Sequence, residues 1–180
     1  MKADNEQVSM ADALIDPWLS VIGRDFEGYR NHCRRVFLFG CALAGKDGDN
    51  QQKIAIAAAY HDLGIWTDGT FDYLGPSKRL ARAYLESIGK TDWADEIEAM
   101  IENHHKLGPW SCNPAWLVEP FRQADWIDVT FGARNFGLPR RYILEIQGRY
   151  PNAGYHPALA RLTFERMKTH PKDPLPMFKW

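Results

Sequence analysis

The sequence predicts an all-α fold, a single domain spanning 1–180 built as an irregular bundle of about seven to nine helices. Three observations predict it. Apolar residues recur at spacings of three and four in segment after segment. No convincing run alternates apolar and polar residues with the period of two that a half-buried strand needs. Short breaks carrying Gly and Pro separate the periodic segments, and no internal repeat is present.

Taken in order, residues 1–9 read as a loose polar lead-in. A first helix follows over 10–22, with Ser9 as a cap and Pro17 either starting or kinking it. The 29–44 segment is a strong helix, since Tyr29, His32, Val36, Phe39 and Leu43 form one stripe that includes a histidine. A polar loop over 45–50 leads to an alanine-rich helix over 51–62 that ends in His61-Asp62, with Gly64 just beyond as a C-cap. Residues 64–76 form a long aromatic loop that either lines a pocket or packs as a satellite core. Helices follow over 77–88, over 92–106 with Thr91 or Asp92 as cap, over 115–131 with Pro120 as a division, over 138–147 begun by Pro139, and over 158–168. The core helices fall over about 26–132 and a C-terminal helical extension over 138–170.

Composition narrows the function classes. The chain has 180 residues, 45% of them hydrophobic, with a formal net charge of -1, ordinary for a soluble globular domain with a real core. No basic excess is available to neutralise a nucleic-acid backbone, so an extended nucleic-acid partner is not expected. Cys33, Cys41 and Cys112 include no C-x-x-C pair; Cys33 and Cys41 read as small core residues. Residues 1–7 carry no signal-peptide core, and no apolar run reaches the length of a membrane span. The expectation is a cytoplasmic protein with a small-molecule substrate and no membrane partner. Seven tryptophans, Trp18, Trp66, Trp93, Trp110, Trp116, Trp126 and Trp180, are expected in the core or in pocket walls; any left exposed would support a homodimer.

The chemistry begins at Ile54-Ala55-Ile56-Ala57-Ala58-Ala59-Tyr60-His61-Asp62. An imidazole and a carboxylate at the end of a buried helix must be paired or bound to a cation. Alone they are either a structural His–Asp pair or half of a metal site. Three further polar groups lie on apolar stripes: His32, His104 or His105, and Asp125. Each sits on a different expected helix, and bundles build ligand and metal sites from such convergent side chains. Two imidazoles and two carboxylates suit a divalent Mn, Fe, Co, Ni, Zn or Mg ion in a site with open positions.

The order His32, His61-Asp62, Asp125 is an H…HD…D signature, and the sequence resembles the HD-domain superfamily, helical metal-dependent phosphohydrolases. The likeness extends to Tyr29-Arg30-Asn31-His32-Cys33-Arg34-Arg35-Val36, to Ala57-Ala58-Ala59-Tyr60-His61-Asp62-Leu63-Gly64, to Ile101-Glu102-Asn103-His104-His105, and to Ala124-Asp125-Trp126-Ile127-Asp128. The resemblance implies that His32, His61, Asp62 and Asp125 hold the metal. Binuclear members use two further histidines after the HD pair. This chain has none between 62 and 103, and Ser77 stands about where the first would be, so one metal ion is expected. Asp72 is a weak candidate for a replacement ligand.

The expected activity is that of a metal-dependent phosphoric ester hydrolase acting on a small phosphorylated metabolite or nucleotide. Asp62 would also orient water. Arg35, one turn past His32, would be the cation for phosphoryl oxygens, or else the partner of a salt bridge, and Lys106 is a second candidate. His104 and His105 would serve as general acid or base. The sequence departs from nucleotide-monophosphatase members at Ile65, where they carry glutamate, so another acid such as Asp68 or Asp128 is needed. Two other readings stay open: an HD-fold hydratase or non-phosphate hydrolase of a small uncharged substrate, which the aromatic 64–76 loop would suit, and a metal-holding regulatory module with little turnover. The 71–76 and 150–157 segments read as pocket walls, a lid or rigid turns. His156 and His170 are weak ligand candidates.

Overall fold

The structure is a computed structural model that describes residues 2–45 and 48–178. It is an all-α irregular bundle with no strand among the described residues. The long helices are α1 (Lys2–Ile15), α3 (Phe26–Ala44), α4 (Gly48–Tyr60), α6 (Leu74–Ser87), α7 (Ala94–Asn103), α8 (Val118–Val129), α9 (Arg140–Arg149) and α10 (Tyr155–Thr169), joined by one-turn helices α2 (Leu19–Ile22) and α5 (Gly64–Thr67).

The bundle is organised on α3 and α4. Helix α3 packs on α8, α4, α1 and α9. It therefore buries more than the one stripe from Tyr29 to Phe39: Cys33, Phe37 and Leu38 are also inside. Along α4 every residue from Ile54 to Tyr60 is buried. A helix that is apolar all round belongs in a core, and its alanines leave room for α1, α3, α6 and α7 to approach. Fully buried Phe37, Phe39, Ile54, Ile97 and Phe121 each contribute roughly 1.5–3 kcal/mol of transfer free energy.

Several element boundaries differ from the sequence expectation. The lead-in is helical: α1 begins at Lys2, so Ser9 lies inside it, and Pro17 sits in a 3-10 turn over Asp16–Trp18 that ends the first helical stretch. Helix α4 stops at Tyr60, one residue short of His61, although the His61 N–H still donates to Ala57 O at 2.9 Å. Gly64 is not a C-cap. It opens α5, and a Cβ there would lie 2.6 Å from Tyr73 O and 3.0 Å from Ser77 N. Glycine is required here by the close backbone approach of the following segment. The aromatic loop is shorter than expected, because α6 starts at Leu74 with Pro76 in its first turn. Helix α7 ends at Asn103, so His104 and His105 lie just past a helix end.

Trp93 is buried, while Trp18, Trp66, Trp110, Trp116 and Trp126 are half-buried; none of these six is exposed, and Trp180 lies outside the described residues. Cys33 and Cys41 are in the core as expected, and Cys112 is exposed. No helix among the described residues is long and apolar enough to cross a membrane.

Candidate metal centre

The fold brings His32, His61, Asp62, His104, His105 and Asp125 to one place. His32 comes from the middle of α3, His61 and Asp62 from the turn after α4, His104 and His105 from the end of α7, and Asp125 from α8. The first four and Asp125 are between 0 and 1% exposed, and His105 is 9% exposed.

Two triads share Asp62. In one, donor atoms of His32, His61 and Asp62 lie within 4.8 Å of one another; in the other, those of Asp62, His104 and His105 do. Asp62 Oδ2 is 3.5 Å from His61 Nε2 and 3.9 Å from His32 Nε2, while its Oδ1 is 3.4 Å from His104 Nε2. Asp125 Oδ1 lies 3.6 Å from His32 Nε2 and 3.9 Å from His61 Nε2. Asp125 Oδ2 lies 3.1 Å from His105 Nδ1, without hydrogen-bond alignment.

The outer partners of the imidazoles fix their tautomers. His32 Nδ1 is 2.7 Å from Asp128 Oδ2, His61 Nδ1 is 2.9 Å from Ala58 O, and His104 Nδ1 is 2.6 Å from Ile101 O. Carbonyl and carboxylate oxygens only accept, so each Nδ1 carries the proton. The neutral form of each ring, the form that binds a metal, aims an unprotonated Nε2 inward. His32 Nε2 and His61 Nε2 face each other at 2.9 Å. In the neutral forms, with both protons committed outward, that contact is lone pair to lone pair and suits a cation. Asp62 Oδ1, His104 Nε2 and both Asp125 oxygens are likewise buried without a hydrogen-bond partner. Orphaned polar atoms of this kind cost roughly 1–3 kcal/mol each. Here they converge in and beside the two triads, where a cation could take up the unpaired donor atoms. The donor set fits a divalent metal with imidazole and carboxylate preference.

The electrostatics agree. Burial holds His61 down at about 4, with the neighbouring His104 and His32 adding to the effect, so it is neutral near pH 7. Burial alone would raise Asp62 and Asp125, but the surrounding imidazoles outweigh it and keep both carboxyls below their usual range. His104 is raised despite its burial, because Asp62 and Asp125 favour its charged form when no ion is present.

Arg35 is on the outer side of Asp128. Its Nε and Nη2 donate to the Asp128 carboxylate at 2.5 and 2.8 Å, and its Nη1 donates to Tyr150 O at 2.9 Å. The salt-bridge alternative is thus the one the structure contains. A cavity of about 230 Å³ touching Arg35, Asp128, Gln147 and His156 lies beyond this pair. His156 there stacks on Phe131, away from the triads. Lys106 is half-buried, and its carbonyl accepts from Arg122 Nη1 and Trp126 Nε1. Asp72 is exposed, Ser77 Oγ accepts from Gly64 N–H, and His170 is exposed beside Thr169. None of these three joins the cluster. A larger apolar cavity of about 420 Å³, walled by Trp18, Tyr60 and Tyr84, shares no residue with it.

Three residues at the centre were not among the sequence candidates for its machinery, and a fourth, Asp128, was named there only as an alternative acid. Asp128 holds His32 and Arg35 together; its signal was its place three residues after Asp125 on one buried helical face. The Tyr155 hydroxyl donates to Asp62 Oδ2 at 2.5 Å, and its ring stacks on His32 at 4.1 Å between centroids. Tyr73 Oη is 3.2 Å from His105 Nε2, and Phe178 stacks on the His105 ring at 5.2 Å. The last three come from segments whose approach only tertiary packing decides.

An all-α bundle with a buried His/Asp cluster of this order defines a class of helical domains whose centre could hold a divalent metal. The HD domain family model matches residues 29–146, and the chain belongs to that family. No curated protein and no solved structure matches it.

Proposed function

We propose that the protein is a metal-dependent hydrolase of small phosphoesters, with His32, His61, Asp62 and Asp125 holding one divalent ion. The observation that carries the reading is the set of inward, unprotonated imidazole nitrogens beside orphaned carboxylate oxygens. Such an ion supplies a lowered water pKa and Lewis acidity toward a phosphoryl oxygen. The chain's own residues do the rest. Asp128 and the Ala58 carbonyl orient the two imidazoles, and the carboxylates of Asp62 and Asp125 balance the ion's charge in a water-poor core. His104 and His105, beside Asp62 and Asp125, are the groups placed to hold or give up a proton at the reacting oxygen. Arg35, committed to Asp128, acts through His32 and not on substrate.

The test is turnover of p-nitrophenyl phosphate by metal-free protein reloaded with Mn, Co, Ni or Mg. Metal-dependent release of nitrophenol that disappears in Asp62→Asn is expected. Release that persists undiminished in that variant would place the activity elsewhere.

One observation favours a second reading, hydration or hydrolysis of a small uncharged substrate. The cluster is walled by Tyr73, Tyr155 and Phe178, and its nearest arginine is taken by Asp128. Conversion of a small nitrile by the same reloaded protein, with no phosphatase activity, would select it.

A further inference from the structure

One stretch contacting the centre is not part of the family match. The match covers residues 29–146, whereas the 150–155 stretch lies beyond it. This stretch is fastened to the same helix face that carries His32. Gly28, Asn31 and Arg35 are spaced i, i+3 and i+7 along α3, so they line up beside His32. At Gly28 the backbone comes so close that a Cβ would lie 3.0 Å from both Ala153 O and Tyr155 N. Asn31 Nδ2 donates to Pro151 O at 3.1 Å, and Arg35 Nη1 donates to the Tyr150 and Pro151 carbonyls at 2.9 and 3.2 Å. Gly154, at φ 90°, then turns the chain into α10 in a conformation that favours glycine. The residue this arrangement delivers is Tyr155, 2% exposed.

We propose that Tyr155 is a positioning residue of the metal centre, added to the HD domain by the chain's C-terminal segment. Its two ends act on two different ligand groups. The phenol donates to Asp62 Oδ2 at 2.5 Å, and the ring lies parallel to the His32 imidazole, 15° between planes. Asp62 is the one residue shared by both triads, and its two oxygens face different imidazoles, Oδ2 toward His61 and His32 and Oδ1 toward His104. A carboxylate rotates easily about its terminal torsion, which has broad, two-fold preferences. Fixing Oδ2 fixes that rotation and leaves Oδ1 aimed at His104. Stacking on His32 restricts the tilt of the second ligand at the same time. One side chain thereby sets the orientation of two metal-binding groups, the role played by outer partners in metal sites generally.

The inference rests on the metal-centre reading, and the experiment separates the two. The apparent Kd of the full chain for Co is measured by competition with a chromophoric chelator, together with the visible spectrum of the Co-loaded protein and urea unfolding of the metal-free form. Tyr155→Phe keeps the ring on His32 and removes only the hydroxyl. The expected result is a Kd weakened about 10–100-fold and a shifted Co spectrum, because outer partners act at about this strength. A variant with wild-type Kd and spectrum, whether or not it is less stable to urea, overturns the proposal and leaves the hydroxyl a structural role. Asn31→Ala, which loosens the same segment through Pro151 without touching a ligand, is the second variant if Tyr155→Phe does not fold. It is expected to weaken Co binding in the same direction and by less, and an unchanged Kd there counts against the proposal. Wild-type protein that binds no Co at all would overturn the metal-centre reading itself.

Discussion

Replacing Asp128 with asparagine tests the electrostatics behind the site. The carboxylate accepts from His32 Nδ1 at 2.7 Å and from Arg35 Nε and Nη2 at 2.5 and 2.8 Å. Burial would raise it, but Arg35 and His32 hold it well below the ordinary carboxylate range. Asparagine has the same shape with one acceptor oxygen and a donor group in place of the other. Three donors cannot share that oxygen, and the Arg35 guanidinium, 2% exposed, loses its counter-charge. Breaking a buried ion pair by removing one partner costs about 3–5 kcal/mol, a large share of the roughly 5–15 kcal/mol that holds a domain folded. The His32 ring, no longer fixed at Nδ1, should also bind metal about 10–100-fold more weakly. Urea unfolding of the metal-free protein measures the first effect and chelator competition the second. A double replacement, Arg35→Met with Asp128→Leu, sharpens the test. It removes both charges, so it should recover most of the stability, since buried pairs replaced by apolar groups are often neutral. It should not recover the metal affinity, because His32 Nδ1 still has no acceptor. If Asp128→Asn unfolds within about 0.5 kcal/mol of wild type, the argument that Asp128 is the needed counter-charge of a buried Arg35 is refuted.

Three further outcomes follow from the same geometry. Asp62→Asn should abolish tight metal binding and also cost the metal-free protein stability near neutral pH, because the neighbouring imidazoles outweigh burial and hold this carboxyl below its usual range; a thermal melt with and without chelator reads both, and a metal-free form as stable as wild type would contradict it. Gly64→Ala puts a Cβ 2.6 Å from Tyr73 O and 2.8 Å from Pro76 Cβ, against backbone and a rigid ring, so a loss of about 1–3 kcal/mol in urea unfolding is expected, and an unchanged midpoint would show that the approach is looser than drawn. His61 is held at about 4, below its ordinary value near 6.5. The unfolded chain therefore binds the proton first, and His61 alone makes the metal-free fold lose stability as pH falls from about 6.5 to about 4, by up to about 1.4 kcal/mol per pH unit, against the opposite slope of His104, which is raised. His61→Gln should flatten that slope, and a slope unchanged in the variant would assign it to other groups.

The fold class was legible because helical period is a local property: the stripe from Tyr29 to Phe39 and the alanine run before His61 fix two core helices without reference to anything distant. Boundaries were less legible where tertiary packing overrides local rules. Gly64 has the pattern of a C-cap, yet its job is to admit the Tyr73 backbone, and that contact exists only after α6 has folded back. The ligand candidates were readable as polar residues on apolar stripes, since a buried imidazole or carboxylate needs a partner wherever it falls. The groups that orient them were not. Arg35 reads equally as a cation for substrate or as half of a salt bridge until Asp128 is seen to hold it from 93 residues away, and Tyr155 reaches Asp62 across the same separation.

Helix α3 shows how one surface can serve two ends. His32 faces inward to the cluster, and within one turn on either side the same helix uses Gly28, Asn31 and Arg35 to seize the 150–155 segment. Arg35 is common to both tasks, since it fastens the Tyr150 and Pro151 carbonyls while holding the carboxylate that orients His32. The C-terminal segment and the imidazole are therefore mechanically linked through a single guanidinium. Loosening the segment should be felt at Asp62 through Tyr155 and at His32 through Arg35 and Asp128, so its effects on the centre will exceed those of either contact removed alone. This coupling makes the region after the family domain part of the site's architecture, although it supplies none of the residues in the two triads.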